Sequence, residues 1–159
     1  MVRAQATGRE GAEAEIDRRQ ALMRACAHAT EAELESALAM LGELPAVEEL
    51  RTPEMGLVML RGRIGANGKP FNVGETIVTR AAVRLAGRTG VSYLLGRCER
   101  RARLAAMLDA LAQEVRYRAS LQANLVVPVM ARIAAEDARV RAQAAATKVD
   151  FFTLVRGED

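Results

Sequence analysis

Four arginines are the first side chains of this sequence that could do chemistry. Arg61 and Arg63 stand two apart in "LRGRI", and Arg80 and Arg84 stand four apart in "ETIVTRAAVRL". In an extended chain each pair shares a face, because side chains alternate with a period of two. Guanidinium groups match phosphate and carboxylate geometry bidentately and keep their charge at any working pH. If the strands align, the four converge on a surface suited to a polyphosphate, a nucleic acid or an acidic protein. The opposite face of the second segment is Ile77, Thr79, Ala81, Val83 and Leu85, the composition of a core.

Chemistry by the chain alone has little to draw on. The sequence has no GxxxxGK[ST] loop, no GxSxG elbow and no HExxH helix. His28 is the sole histidine and reads as a partly buried residue of an amphipathic helix. Cys26 and Cys98 are far apart, without the spacing or further ligands that a metal site needs, and read as free thiols. "GANGK" reads as a hairpin turn, not a phosphate loop. Single-strand nucleic-acid binding adds aromatic platforms to a basic groove, and here only Phe71, Tyr93 and Tyr117 lie near the basic part.

The net charge of +3 conceals a segregation. Residues 10–54 hold eleven acids against four arginines, net −7, whereas residues 55–118 hold twelve basic residues against four acids, net +8. Such asymmetry marks either an anion-binding or partner surface, or two segments that neutralise each other within one fold.

The elements that would position these groups follow from periodicity. Residues 1–12 are polar and read as a disordered tail, and 13–159 as one domain. Ile16, Ala21, Leu22, Ala25, Cys26 and Ala29 recur at helical spacing from about Glu13. "TEAE" places Thr30 and Glu33 as a capping box, Leu34, Ala37, Leu38 and Leu41 make a second stripe, and Gly42 with Pro45 ends it. "AVEELR" and "MGLVMLRGRIG" flank a turn at Thr52-Pro53-Glu54; a second turn falls at "ANGKP" and a third at Gly87-Arg88-Thr89-Gly90. A helix then spans about Glu99 to Arg118 with Leu104, Met107, Leu108, Leu111 and Val115 as its stripe. Pro128 interrupts before another helix, and "VDFFTLV" closes as a strand. The class is α+β: N-terminal helices, an antiparallel sheet of about four or five strands, two further helices and a C-terminal strand.

With 50% hydrophobic and 27% charged residues the chain is globular. It carries no apolar leader and no run long enough for a bilayer, which points to the cytoplasm and away from membranes. Two of its three phenylalanines, Phe151 and Phe152, stand near the end, where chains fray unless docked. On opposite faces of a strand, one would meet the chain's own helices and the other a partner.

The run "GLVMLRGRIGANGKPFNVGETIVTRAAVRLAGRTGVSYLLGR" from Gly56 to Arg97, with "AATKVDFFTLVRGED" at the end, resembles the G-subunit family of the bacterial phosphonate C-P lyase system, PhnG. The likeness extends from about Arg18 onward, and "VTRAAVRLAG" and "KVDFFTLVRG" are its most specific blocks. It implies a core complex with H, I and J subunits, two copies of each. With ATP and a phosphonate such as methylphosphonate, the I subunit, supported by G, H and a further protein L, displaces adenine and forms alpha-D-ribose 1-methylphosphonate 5-triphosphate. A radical SAM iron-sulfur subunit, J, later breaks the carbon-phosphorus bond.

The resemblance also implies that this chain binds no cofactor or metal, needs neither nucleic acid nor membrane, and leaves ATP and phosphonate as substrates of the complex. Thr79, Arg80, Arg84, Arg97, Lys148, Asp150 and Arg156 lie in the matched blocks and are candidates for an interface or an anionic ligand, not for catalysis. The chain departs from the family at "GRCERRAR", where an acid usually follows Gly-Arg with a His and an acid downstream; here stand Cys98, Arg101 and Arg103, with Glu99 next to the first position. Without partners, an uncovered interface would favour a homodimer. A free-standing anion-binding or nucleic-acid-binding protein is the alternative.

Overall fold

The computed structural model describes residues 2–64 and 68–147. Two helices, α1 (Val2–His28) and α2 (Glu31–Ala39), precede an antiparallel sheet of β1 (Val47–Arg63), β2 (Pro70–Leu85) and β3 (Arg88–Leu95). The chain continues through α3 (Glu99–Ala112), α4 (Val115–Leu121), a π-helical turn (Gln122–Val126) and α5 (Val127–Ala146). The expected α+β class is found, with three strands among the described residues, in the order β1-β2-β3, where about four or five were expected. The expected C-terminal strand, and with it Lys148, Asp150, Phe151, Phe152 and Arg156, lies outside the described residues.

The strand count falls because Thr52-Pro53-Glu54 does not turn the chain. β1 runs straight through it, absorbing the irregularity as register shifts between Glu49 and Arg51 and between Arg51 and Glu54. A proline is tolerated there because β1 is an edge strand, which can spare an N–H. The β2–β3 turn is also tighter than expected. Leu85 pairs with Arg88, leaving Ala86 and Gly87 as a two-residue loop with φ of 46° and 77°, the left-handed pair that a tight hairpin requires. Gly90 lies inside β3 for another reason: a Cβ there would run into the main chain of Ala106 and Ala110. Glycine lets α3 close onto the strand.

α3 is the centre of the domain. Ala102 and every residue from Leu104 to Leu111 are buried, so the helix is covered all round, as a helix in a core must be. The sheet packs on one side of it through Ala81, Val83, Leu85 and Leu94; α1, α2 and the π turn supply Leu22, Ala25, Cys26, Leu34, Leu38 and Leu125. The expected helix to Arg118 breaks at Gln113–Glu114, which leaves Val115 exposed instead of in the stripe. Pro128 does not interrupt the chain as expected. In a regular helix its ring collides with the carbonyl four residues back; the preceding π turn, in which the N–H of Val127 donates to the carbonyl of Gln122, widens the backbone so that α5 starts across it.

At the N-terminal end, Leu22, Ala25, Cys26 and Ala29 are buried as their spacing predicts, whereas Ile16 is exposed. The helix runs back to Val2, into the segment read as a polar tail. His28, expected to be partly buried, faces solvent at the end of α1, and its carbonyl accepts from Arg132. The capping box is present: the N–H of Glu33 donates to Thr30 Oγ1 (3.2 Å) and the N–H of Thr30 to the Glu33 carboxylate (2.7 Å). Glu33 also accepts from Arg132 at 3.0 Å, tying α2 to α5.

The charge segregation is resolved inside the fold. Glu15 pairs with Arg118, Glu31 and Glu35 with Arg100, Glu48 with Arg84, Glu49 with Arg103 and Glu54 with Arg80. Each pair joins the acidic segment to the basic one. Half-exposed ion pairs contribute little apiece, ~0–1 kcal/mol; their effect is to neutralise the arginines that would otherwise face an anion.

Candidate partner interface

Strand register decides which arginines meet. Arg80 stands opposite Glu54 and Arg84 opposite Glu48, whereas Arg61 stands opposite Asn72 and Arg63 opposite Pro70. From Glu54 to Arg61 is roughly 23 Å of strand at the usual rise, so the expected convergence of the four does not occur. Arg80 Nε donates to Glu54 at 2.7 Å, and Arg84 to Glu48 at 3.1 Å. Tyr93 first, and then Glu54, raise the Arg80 pKa above its ordinary value. Hydrogen bonds from Arg51, opposed by desolvation and aided by Arg80, hold the Glu54 carboxyl below the ordinary carboxylate range.

The other candidates separate cleanly. Thr79 is buried, where its hydroxyl donates to the carbonyl of Gly96 (2.7 Å) and accepts from the N–H of Cys98 (3.1 Å). It therefore fastens the connection between β3 and α3 to β2. Arg97 is exposed in the connection between them. At the divergent "GRCERRAR" run, Cys98 occupies the N-cap position of α3 without a side-chain cap bond, Arg101 donates to the carbonyl of Ala27 and Arg103 pairs with Glu49.

What the fold leaves uncovered is apolar. β3 pairs with β2 only over Val78–Leu85, so Leu57–Arg63 and Pro70–Ile77 project beyond it as a two-stranded arm. Partners across an antiparallel ladder share a face. Leu57 and Met59, opposite Ile77 and Glu75, lie on the helix side; Val58 and Leu60, opposite Thr76 and Gly74, lie on the outer side. All four are exposed, Leu57 at 63%, with Phe71, Val73 and Ile64 beside them. The outer face of the sheet continues the patch through Val91, Tyr93 and Leu95, the last 70% exposed. A continuous apolar run such as "MGLVML" marks a strand covered on both faces, and here neither face of it is covered. That run was the available sequence signal for the arm.

A second feature lies among the helices. A cavity of about 530 Å³ is lined by Leu22, Ala112, Leu121 and Val126, with Arg19, Asp109 and Arg118. Four of its charged residues pair with one another: Arg19 donates bidentately to Asp109 (2.8 Å each) and Arg118 to Glu15 (3.0 Å). Among the described residues no group of three or more His, Cys, Asp or Glu could hold a metal ion, and no helix is long and apolar enough to cross a membrane.

Known proteins are similar to this chain along most of its length. Over 148 residues the chain is 51% identical to the alpha-D-ribose 1-methylphosphonate 5-triphosphate synthase subunit PhnG of Rhizobium meliloti (strain 1021), an alignment covering 92% of this chain and 94% of that protein. Residues 17–157 match the family described as phosphonate metabolism protein PhnG. A match of that extent, spanning both the helical core and the uncovered sheet, places the chain in the PhnG family.

Proposed function

We propose that this chain is the G subunit of an alpha-D-ribose 1-methylphosphonate 5-triphosphate synthase and works in phosphonate catabolism as part of a C-P lyase core complex. The observation that carries the reading is the 51% identity, along nearly the whole chain, to a protein bearing that name. The uncovered arm and outer sheet face support it, because a subunit needs apolar surface that a partner buries. The partners are the H, I and J subunits, two copies of each, with L acting in the reaction. Isolated chains, lacking them, pair with one another across the outer sheet face of Val91, Tyr93 and Leu95.

The reaction exchanges one bond at the ribose C1′ of ATP for another. The bond to adenine N9 breaks, a phosphonate oxygen takes its place, and adenine leaves with the proton that the phosphonate gives up. This chemistry is assigned to the I subunit, with ATP and the phosphonate as substrates of the complex and no cofactor held by this chain. The assembly is cytoplasmic. A free-standing anion-binding or nucleic-acid-binding protein is disfavoured by the ion pairs that occupy Arg80 and Arg84.

Co-expression with the H, I and J subunits, capture on this chain, and an assay of adenine release from ATP and methylphosphonate with L added test the proposal. A stable complex whose activity disappears when this chain is omitted is the expected result. Unchanged adenine release without it would overturn the reading.

A further inference from the structure

We propose that the free edge of β1, from Met55 to Arg63, receives an extended strand of a partner subunit, apolar opposite Met55–Leu60 and acidic opposite Arg61 and Arg63. The proposal rests on the reading of the chain as a synthase subunit and names what that subunit's partner presents.

The two edges of the sheet are not equivalent. On β3 the outward N–H of Val91 donates to Asp109 (2.9 Å) and the carbonyl of Thr89 accepts from Gln113 Nε2 (2.7 Å). Both groups, which a visiting strand would need, are taken by α3 and its C-cap. On β1 the half nearest the helices carries Pro53 and two register shifts, the devices that normally discourage edge pairing. From Glu54 to Leu60 the register is unbroken, a third shift falling only between Leu60 and Arg61, and among the described residues nothing but β2 bonds to the Glu54–Leu60 main chain. Native edges of this length are guarded by charge, proline or a bulge; Met55, Gly56, Leu57, Val58, Met59 and Leu60 supply none of these.

A third strand also answers a stability problem. A ribbon of two strands is marginal in water, and this one exposes apolar side chains on both faces. Main-chain bonds to an added strand supply affinity, and alternate side chains supply specificity.

Charge selects the occupant. Arg61, Arg63 and Lys69 gather at the far end of the arm with no ion pair among the described residues, and Glu75 is the one acid between Leu57 and Ile77. A second copy would offer these cations Glu48, Glu49 and Glu54, each already engaged by an arginine of its own chain. A partner strand with acids beyond its apolar run meets both requirements.

Hydrogen-exchange mass spectrometry on the full chain, alone and in the complex co-purified with H, I and J, tests this. Assembly is expected to slow exchange of the Met55–Leu60 amides by ~100-fold or more, the protection of a paired strand, while the Val91 amide stays unchanged. The double variant Arg61→Glu/Arg63→Glu alters exposed side chains, so its circular dichroism should match the parent while affinity for the partners falls ~10-fold or more. A complex that forms without slowing exchange at Met55–Leu60 would overturn the edge proposal and leave the subunit reading standing. Failure of any complex to form would overturn both. The same protection produced by concentrating the isolated chain, or by adding poly(U) RNA, would assign the edge to a second copy or to nucleic acid and overturn the proposal.

Discussion

Asp109, buried in the middle of α3, accepts a hydrogen bond at 2.9 Å from the main-chain N–H of Val91 on the outer edge of β3. The same carboxylate receives Arg19 of α1 through two bonds of 2.8 Å, so one side chain joins three elements. Asp109→Ala removes the acceptor for all three donors and leaves the Val91 N–H unpaired. A loss of about 2–4 kcal/mol is expected in urea unfolding, with faster exchange of the Val91 amide. Asp109→Asn keeps an acceptor for that N–H and should lose less; equal losses in the two variants would show that the main-chain bond is immaterial.

Cys26 gives a pH dependence on the alkaline side. Burial, and then the charge of Asp109, push its thiol from an ordinary 9.0 up to about 12. Unfolded chains release this proton near 9 while folded chains keep it, so the unfolded state binds fewer protons and stability falls as pH rises from about 9 to about 12. Cys26→Ala should flatten that part of the stability curve. In the native protein at pH 8 a thiol reagent should leave Cys26 unmodified until denaturant is added; rapid labelling without denaturant would contradict the burial.

How much of this was legible in the sequence depended on range. The Thr30–Glu33 capping box was readable because its partners are three residues apart, and the two faces of β2 because alternation is local. Pro53 reads as a turn in the sequence because its tolerance depends on β1 being an edge, a fact about the whole sheet. The arginine cluster was misread because register places Arg61 opposite Asn72 and Arg80 opposite Glu54. Asp109 had no signal at all: one acid among alanines and leucines looks like a solvent-facing residue until the helix is covered on every side. For the interface, "MGLVML" was visible as an apolar run, but its exposure depends on where β3 ends.

Gly90 and Gly56 form a matched pair of backbone tests. A Cβ on Gly90 meets the carbonyl of Ala106 and the amide of Ala110, both main chain, so Gly90→Ala must push α3 away from β3. A cost of about 3 kcal/mol or more is expected, at the upper end of overpacking. Gly56 has open space around it and a backbone any residue can adopt, so Gly56→Ala should change the free energy of urea unfolding by less than about 0.5 kcal/mol.

Leu95 separates folding from assembly. Its side chain is exposed on the outer face of the sheet, opposite Val78, and makes no contribution to the core cluster. Leu95→Glu should unfold within about 0.5 kcal/mol of the parent, yet recover much less of the H, I and J subunits in a capture experiment. Full recovery would move the interface away from this face.

The difference between the two sheet edges sets how many strands the subunit can accept. With side chains of α3 and its C-cap seated on β3, addition among the described strands can proceed from β1 alone, and a sheet with one such position is monovalent. Copies of such a unit cannot chain into fibres, because two that meet at β1 turn only their engaged β3 edges outward. Asp109 and Gln113 thus act as a terminator on one side while a long apolar edge stays open on the other, and their removal would give the sheet two open edges, the condition for copies to polymerise.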